Sequence, residues 1–306
     1  MGIIMQRLLA LEKGLLVGHI VSMAFGLAGL LWVLPHPEFI AALPEMGQMA
    51  FRASLGWGGV IYMLLGTAAV AVYAYRTLGP WHSLAFLLPS VGLSLSSELL
   101  GTSTGFPFGH YRYLTGLGIK IAGLVPFTIP LSWFYLGFSA YLIARCGLEG
   151  LTLPRWLKRS LSIAIGAILL TSWDFVLDPA MSQTRMPFWV WEQAGAFFGM
   201  PYQNFVGWFG TGAVFMTVAT LLWQRGPLTL PYRDLGLPLA IYLSNFGFAT
   251  AMSIGAGIYL PIFLGILLGV LPALALYQRG KNTPNPLEGE EVTPVVKVAL
   301  VSGGTK

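Results

Sequence analysis

Charge is what this chain has least of. Only 9% of its 306 residues are Asp, Glu, Lys or Arg, against 56% that are hydrophobic, and the mean hydropathy is +0.72. A soluble domain carries about 25% charged residues, so the deficit excludes a soluble protein and implies a polytopic membrane protein. Cysteine is nearly absent too. Cys146 stands alone, which excludes an intrachain disulfide framework and a cysteine metal cluster. The four histidines, His19, His36, His82 and His110, are too scattered for an H-E-x-x-H motif or a histidine box, against a zincin or a di-iron desaturase. Acidic residues number 12, too few for the acid-rich surface of a salt-adapted archaeal protein. The net charge of +5 does not point to nucleic acid, because the basic residues sit at the ends of apolar segments, as membrane topology requires.

Long apolar runs are what the chain does have. A spanning helix needs about 20 apolar residues. The runs predict eight, at roughly 14–34, 53–75, 82–100, 119–144, 157–177, 203–223, 235–255 and 258–277. The first exceeds a signal-peptide core of roughly 7–15 residues and is kept as a helix. The expected fold is an all-α transmembrane helix bundle, with residues 1–279 as one catalytic membrane domain and 280–306 as a flexible cytoplasmic tail. Thirteen of the seventeen Lys and Arg residues fall at the N-terminus, in the second, fourth and sixth loops and in the tail. That bias predicts both termini on the cytoplasmic side of the cell's inner membrane. The loops 101–118 and 178–202 then face outward.

Two stretches interrupt the apolar pattern with acids. In "SELLGTSTGFPFGHYRYLTG", residues 97–116, Glu98 closes an apolar helix behind a polar stripe of Ser90, Ser94 and Ser97, and Gly101 is a plausible stop. In "TSWDFVLDPA", residues 171–180, Asp174 and Asp178 are four apart and share one helix face with Thr171. Pro179 disfavours helix at Asp178, so the helix is expected to end there. All three acids lie at helix C-termini, where the macrodipole disfavours an ionised carboxyl by about 0.3–1 kcal/mol. An acid that stays protonated can give a proton to a substrate. An intramembrane acid is functional by default, although Asp178 could equally cap the loop that follows. The serine stripe reads as close helix packing, and His19 as a satisfied core histidine.

Glycine, proline and aromatic residues recur around these acids. Glu98, Gly101, Gly105, Pro107, Gly116 and Gly118 return 94 residues later as Glu192, Gly195, Gly199, Pro201, Gly210 and Gly212. The spacing suggests a structural repeat, with convergent use of a Gly-x-Pro turn, or chance in a glycine-rich chain, as the alternatives. Tyr111, Tyr113, Trp133, Trp173, Trp189, Trp191 and Trp208 crowd the same side. An interfacial aromatic belt accounts for some of them. Aromatic faces also stabilise cations, so acids beside aromatic walls suit protonation of an alkene in a lipid-soluble substrate.

The blocks "ELLGTSTGFPFGHYRY" with "VPFTIPLSW", and "DFVLDPA" with "WVWEQAGAFFGMPYQNFVGW", resemble the carotenoid biosynthesis protein family. Its characterised members are carotenoid 1,2-hydratases acting on γ-carotene, lycopene or bisanhydrobacterioruberin, and the basic balance here suits a bacterial one. The resemblance implies cofactor-free hydration of the terminal C1–C2 double bond of an acyclic ψ-end, with no metal. Protonation at C2 gives a tertiary cation, and water adds at C1. Asp174 is the expected general acid, with Glu98 positioning water or sharing the proton and Asp178 in support. Tyr111, Tyr113, Trp133, Trp173, Trp191, Asn204, Trp208 and His110 are the expected substrate-binding residues. The partners are then a membrane-dissolved carotenoid and the lipid bilayer. A C40 carotenoid is comparable in length to the roughly 30 Å hydrocarbon core.

Two other readings compete. A transporter or lipid-binding protein would use the acids as a proton relay. An intramembrane prenyltransferase would use Asp174-x-x-x-Asp178 as one aspartate motif, but a diphosphate–Mg²⁺ site needs several carboxylates around the metal. Beyond these two the chain has only Asp234.

Overall fold

The computed structural model of the chain describes residues 2–283. The remainder of the expected tail, from 284 on, lies outside the described residues. Its helices are α1 (Gly2–Ala28), α2 (Pro37–Ala42), α3 (Glu45–Thr104), α4 (Thr128–Glu149), α5 (Arg155–Met181), α6 (Gln203–Trp223), α7 (Gly236–Gly255), α8 (Leu260–Gly265) and α9 (Leu271–Lys281). Four short strands, β1 (Tyr111–Tyr113), β2 (Lys120–Ile121), β3 (Val125–Pro126) and β4 (Trp189–Trp191), lie in the connections. The molecule is the expected all-α multi-pass membrane bundle.

Gly79 divides α3 into two limbs. Its φ of 78° is open to glycine and strained for other residues, and Pro80 bars the residue before it from helical geometry. The limbs double back. Gly59 of the first approaches Gly116 and Leu117, while Gly101 of the second approaches Phe108 and Tyr111 of the same connection. The two spans expected at 53–75 and 82–100 are these limbs. The last expected span is one rod, in which α8 passes through a π-type widening at Ile266–Val270 into α9.

Two boundaries differ from expectation. The fourth span starts at Thr128, not at 119, because 120–126 form the hairpin β2–β3. Its residues are apolar enough to read as helix, but Gly118, Ala122 and Gly123 take positive φ. The fifth helix does not stop at Asp178. It carries Pro179 inside and ends at Met181, with Ser182 as its C-cap.

Among the described residues, six helices are long and apolar enough to cross a membrane, α3 counted once among them. The helix α4 is not one of the six, yet it holds the centre. Thr128 through Ala144 are buried almost without exception, packed against α3, α5, α7 and α9. A helix buried on every side needs no polar face. Gly147 lets α9 come in so closely that a Cβ would meet the Leu276 carbonyl oxygen at 2.6 Å.

One end of the bundle gathers ion pairs. Arg76 reaches Glu12 at 2.8 Å and Asp234 at 2.7 Å, tying α1 and α3 to the segment before α7. Glu149 meets Arg145 and Lys158 there too. The opposite end carries the connections 105–127 and 182–202, and the three acids face it.

Candidate active site

The two long connections form a roof. β1 and β4 pair antiparallel, with Tyr111 opposite Trp191, Arg112 opposite Val190 and Tyr113 opposite Trp189. Period-two alternation puts the four aromatic side chains on one face and Arg112 on the other. Arg112 is exposed and pairs with Glu192 at 3.0 Å. The backbone bonds from Glu192 N–H to the His110 carbonyl and from Leu114 N–H to the Phe188 carbonyl make the aromatic pairs the non-hydrogen-bonded ones, where side chains come closest. Tyr111 and Trp191 have ring centroids 5.3 Å apart, Tyr113 and Trp189 6.2 Å.

Under this roof lies a cavity that opens about 60 Å³ to water-sized spheres. Glu98, Asp174 and Asp178 all line it, with Phe108, Tyr111, Tyr113, Trp173, Trp189, Trp191, Asn204 and Trp208. Seventy-six residues separate Glu98 from Asp174 in the chain, and the fold brings them to one chamber. The three acids are 3%, 1% and 5% exposed.

Each carboxyl is held differently. Tyr111 O–H and Tyr113 O–H both donate to Glu98 Oε2, the latter at 2.9 Å. Trp133 Nε1–H donates to Glu98 Oε1 at 2.9 Å. Burial, and next the adjacent Glu98, push both phenols well above the ordinary tyrosine range, so they remain donors. The Asn204 side-chain amide, in the first turn of α6, donates at 2.8 Å to Asp174 Oδ2 and at 2.8 Å to Asp178 Oδ2. Trp189 Nε1–H donates to Asp178 Oδ1. Glu98 thus accepts from three side chains, Asp178 from two and Asp174 from one.

Trp133 does not line the cavity, but it stacks on Trp208 at 3.9 Å between centroids, and Trp208 meets Trp173 edge-on at 5.7 Å. One aromatic wall therefore runs from Glu98 to the helix that carries the aspartates. Glycine permits its approach: a Cβ on Gly207 would run into Phe108 Cδ1, and one on Gly101 would meet Phe108 Cδ2 at 2.7 Å.

Of the sequence-predicted residues, only Trp133 and His110 stand outside the lining. His110 is exposed, its ring against Gly105. The serine stripe turns to its own helix: Ser90 donates to the Leu87 carbonyl and Ser94 to the Val91 carbonyl. His19 is the satisfied core residue expected, with Nδ1 on the Tyr62 carbonyl at 2.7 Å and Nε2 beside Asn245 Nδ2 at 2.9 Å. The 94-residue recurrence is not repeated in the fold. After Pro107 the chain enters β1, whereas after Pro201 it enters α6, and Glu98 is buried while Glu192 is exposed. Sequence reasoning missed Tyr62, Met63, Leu117, Ile129, Ser132, Leu177 and Met181, which also line the cavity. Nothing in their local sequence signals it.

No Lys, Arg or His lines the cavity. Ionising three neighbouring carboxyls together without a counter-cation is costly, so a site of this kind is suited to holding a proton for transfer, and the four tryptophans in its lining to stabilising a cation.

An all-α intramembrane bundle with a carboxyl-lined aromatic chamber is the class that fold and site define. The chain belongs to the carotenoid biosynthesis protein family, whose profile matches residues 58–272. It is similar to a bisanhydrobacterioruberin hydratase of Haloarcula japonica, with 30% identity over 217 residues, covering 70% of this chain and 68% of that protein. No solved structure matches it.

Proposed function

We propose that this protein is a carotenoid hydratase that adds water across the terminal C1–C2 double bond of an acyclic ψ-end, of the γ-carotene or lycopene type. The observation that supports this reading is the gathering of three buried carboxyls in one aromatic-lined cavity that no Lys, Arg or His lines. Asp174 gives a proton to C2. It accepts a single side-chain hydrogen bond, so a carboxyl oxygen is left to carry the proton. The tertiary cation at C1 faces Glu98, whose three donors fix it as an anion acceptor, and the indole faces of Trp173, Trp191 and Trp208. Water then adds at C1. Its surplus proton returns to the Asp174–Asp178 pair, which restores the acid and leaves a tertiary alcohol. The Trp191 indole N–H is buried without a hydrogen-bond partner, which makes it a donor for the water or the new hydroxyl. The similarity to a named hydratase supports the same reaction class.

The test is anaerobic incubation of purified protein with lycopene and chelator in ¹⁸O-labelled water. The expected product is an alcohol carrying the label, with turnover unaffected by chelator. An unlabelled alcohol, or turnover that requires oxygen, rejects hydration.

A further inference from the structure

A second cavity, of about 310 Å³, lies beside the acid chamber between α1 and the first limb of α3. The two share Tyr62, Leu117 and Met181, so those side chains form the partition between them. The acid chamber is small and polar on one side. The second cavity has an apolar lining with no Asp, Glu, Lys, Arg or His. Its rim includes Val21, Phe25 and Ile61, which are 60%, 69% and 49% exposed on the side of the bundle. In a membrane that surface meets acyl chains.

The space owes its width to missing side chains. Gly26 and Gly29 on one wall and Gly58 on the other line it, and a Cβ added at any of the three would meet no atom within 4 Å. Two bare helix faces make a slot for a thin rod without hydrogen-bonding groups. The sulfur side chains of Met23, Met181 and Met186 adapt to such a surface. A ψ-end in the acid chamber must pass the rest of its chain out of it, and this cleft shares the chamber's wall and opens to lipid.

We propose that the cleft between α1 and the first limb of α3 holds the conjugated chain of the carotenoid, with Gly26, Gly29 and Gly58 setting how bulky the substrate can be beyond its reacting end. This rests on the carotenoid reading of the acid chamber. The wall contributed by α1 lies before residue 58, outside the span that matches the family.

Leucine at Gly26 or Gly58 tests the assignment. Both positions are helical with open space, and leucine is the better helix former, so Gly26→Leu and Gly58→Leu fill the slot without forcing the fold. Gly59 is unsuitable, since its Cβ would meet the Gly116 carbonyl oxygen at 2.6 Å. Gly56→Leu is the control, exposed on the same limb and outside the cleft. Lycopene added to detergent-solubilised protein should give an induced circular-dichroism band in the visible from wild type and Gly56→Leu. Gly26→Leu and Gly58→Leu should lose the band and lower kcat/KM for lycopene by roughly 10–200-fold. An unchanged band in both cleft variants overturns the assignment. Wild-type protein that gives the band but makes no alcohol overturns the hydratase reading, and loss of the band in the variants then still supports the cleft.

Discussion

Three carboxyls in one chamber are distinguished by what donates to them. Glu98 accepts from Tyr111, Tyr113 and Trp133, Asp178 from Asn204 and Trp189, and Asp174 from Asn204 alone. A group whose oxygens are occupied as acceptors is poorly placed to carry a proton, so the acid should be Asp174. Asp174→Asn keeps size and polarity but has no acidic proton. It should lower kcat by roughly 10²–10⁴-fold, the usual contribution of a positioned general acid, while lycopene binding persists. Glu98→Gln should also lose rate, because its NH2 would face the donors now aimed at one of the two carboxyl oxygens. Near-normal turnover in both variants, measured by product chromatography, would remove the carboxyls from the proton transfer. The Asn204 amide also bears on the prenyltransferase alternative. Its N–H donors sit between the two aspartates, where a bridging cation would have to lie.

At the scale of the element, the β1–β4 pair decides where four aromatic side chains point. Only three residue pairs make it, and the alternation of its backbone bonds places the Val190 N–H on the Arg112 carbonyl. Proline at 190 has no N–H and disfavours a paired strand. Val190→Pro should therefore release Trp189 from Asp178 and Trp191 from Tyr111. Since a displacement of about 1 Å can cost roughly 10²-fold in rate, turnover should fall by about that factor while far-UV circular dichroism keeps its helical signal. Normal activity in this variant would mean that the roof does not set the geometry. The hairpin β2–β3 shows the limit of hydropathy here: Ile119, Ile121 and Leu124 are exposed residues of a connection, although their composition extends the apolar run of α4.

For the whole molecule, the ends of the bundle differ in charge and chemistry. Arg76, Arg145, Arg155, Lys158 and Arg159 gather at the end away from the acids, and Arg112 lies on the roof. By the positive-inside rule, the excess of Lys and Arg at the first end predicts that this end faces the cytoplasm and that the chamber lies near the opposite face of the membrane. In a Cys146→Ser background, cysteine replacing Arg112 should react with a membrane-impermeant maleimide added to intact cells. Cysteine replacing Arg155, also exposed, should react only after permeabilisation. The reverse pattern would invert the topology.

The sequence by itself determined that this is a membrane bundle, because runs of about 20 apolar residues have few other places to go. It also singled out Glu98, Asp174 and Asp178, because a carboxyl inside such a run is anomalous, and the aromatic blocks beside them. The break between the runs 53–75 and 82–100 marked the hairpin, and the structure places its turn at Gly79 and Pro80. Tertiary structure decided the rest. Whether helix survives past Pro179, or starts before Thr128, depends on what packs against those turns. That Trp189 and Trp191 meet Tyr113 and Tyr111 depends on pairing between segments 78 residues apart, and register of that kind leaves no trace in either segment. His110 and Tyr113 look equally eligible in the string, but alternation along β1 turns Tyr113 inward, and His110 lies against Gly105 outside. Tyr62 carries no motif. It matters because α1 and the folded-back limbs of α3 place it on the partition between an acid chamber and an apolar cleft.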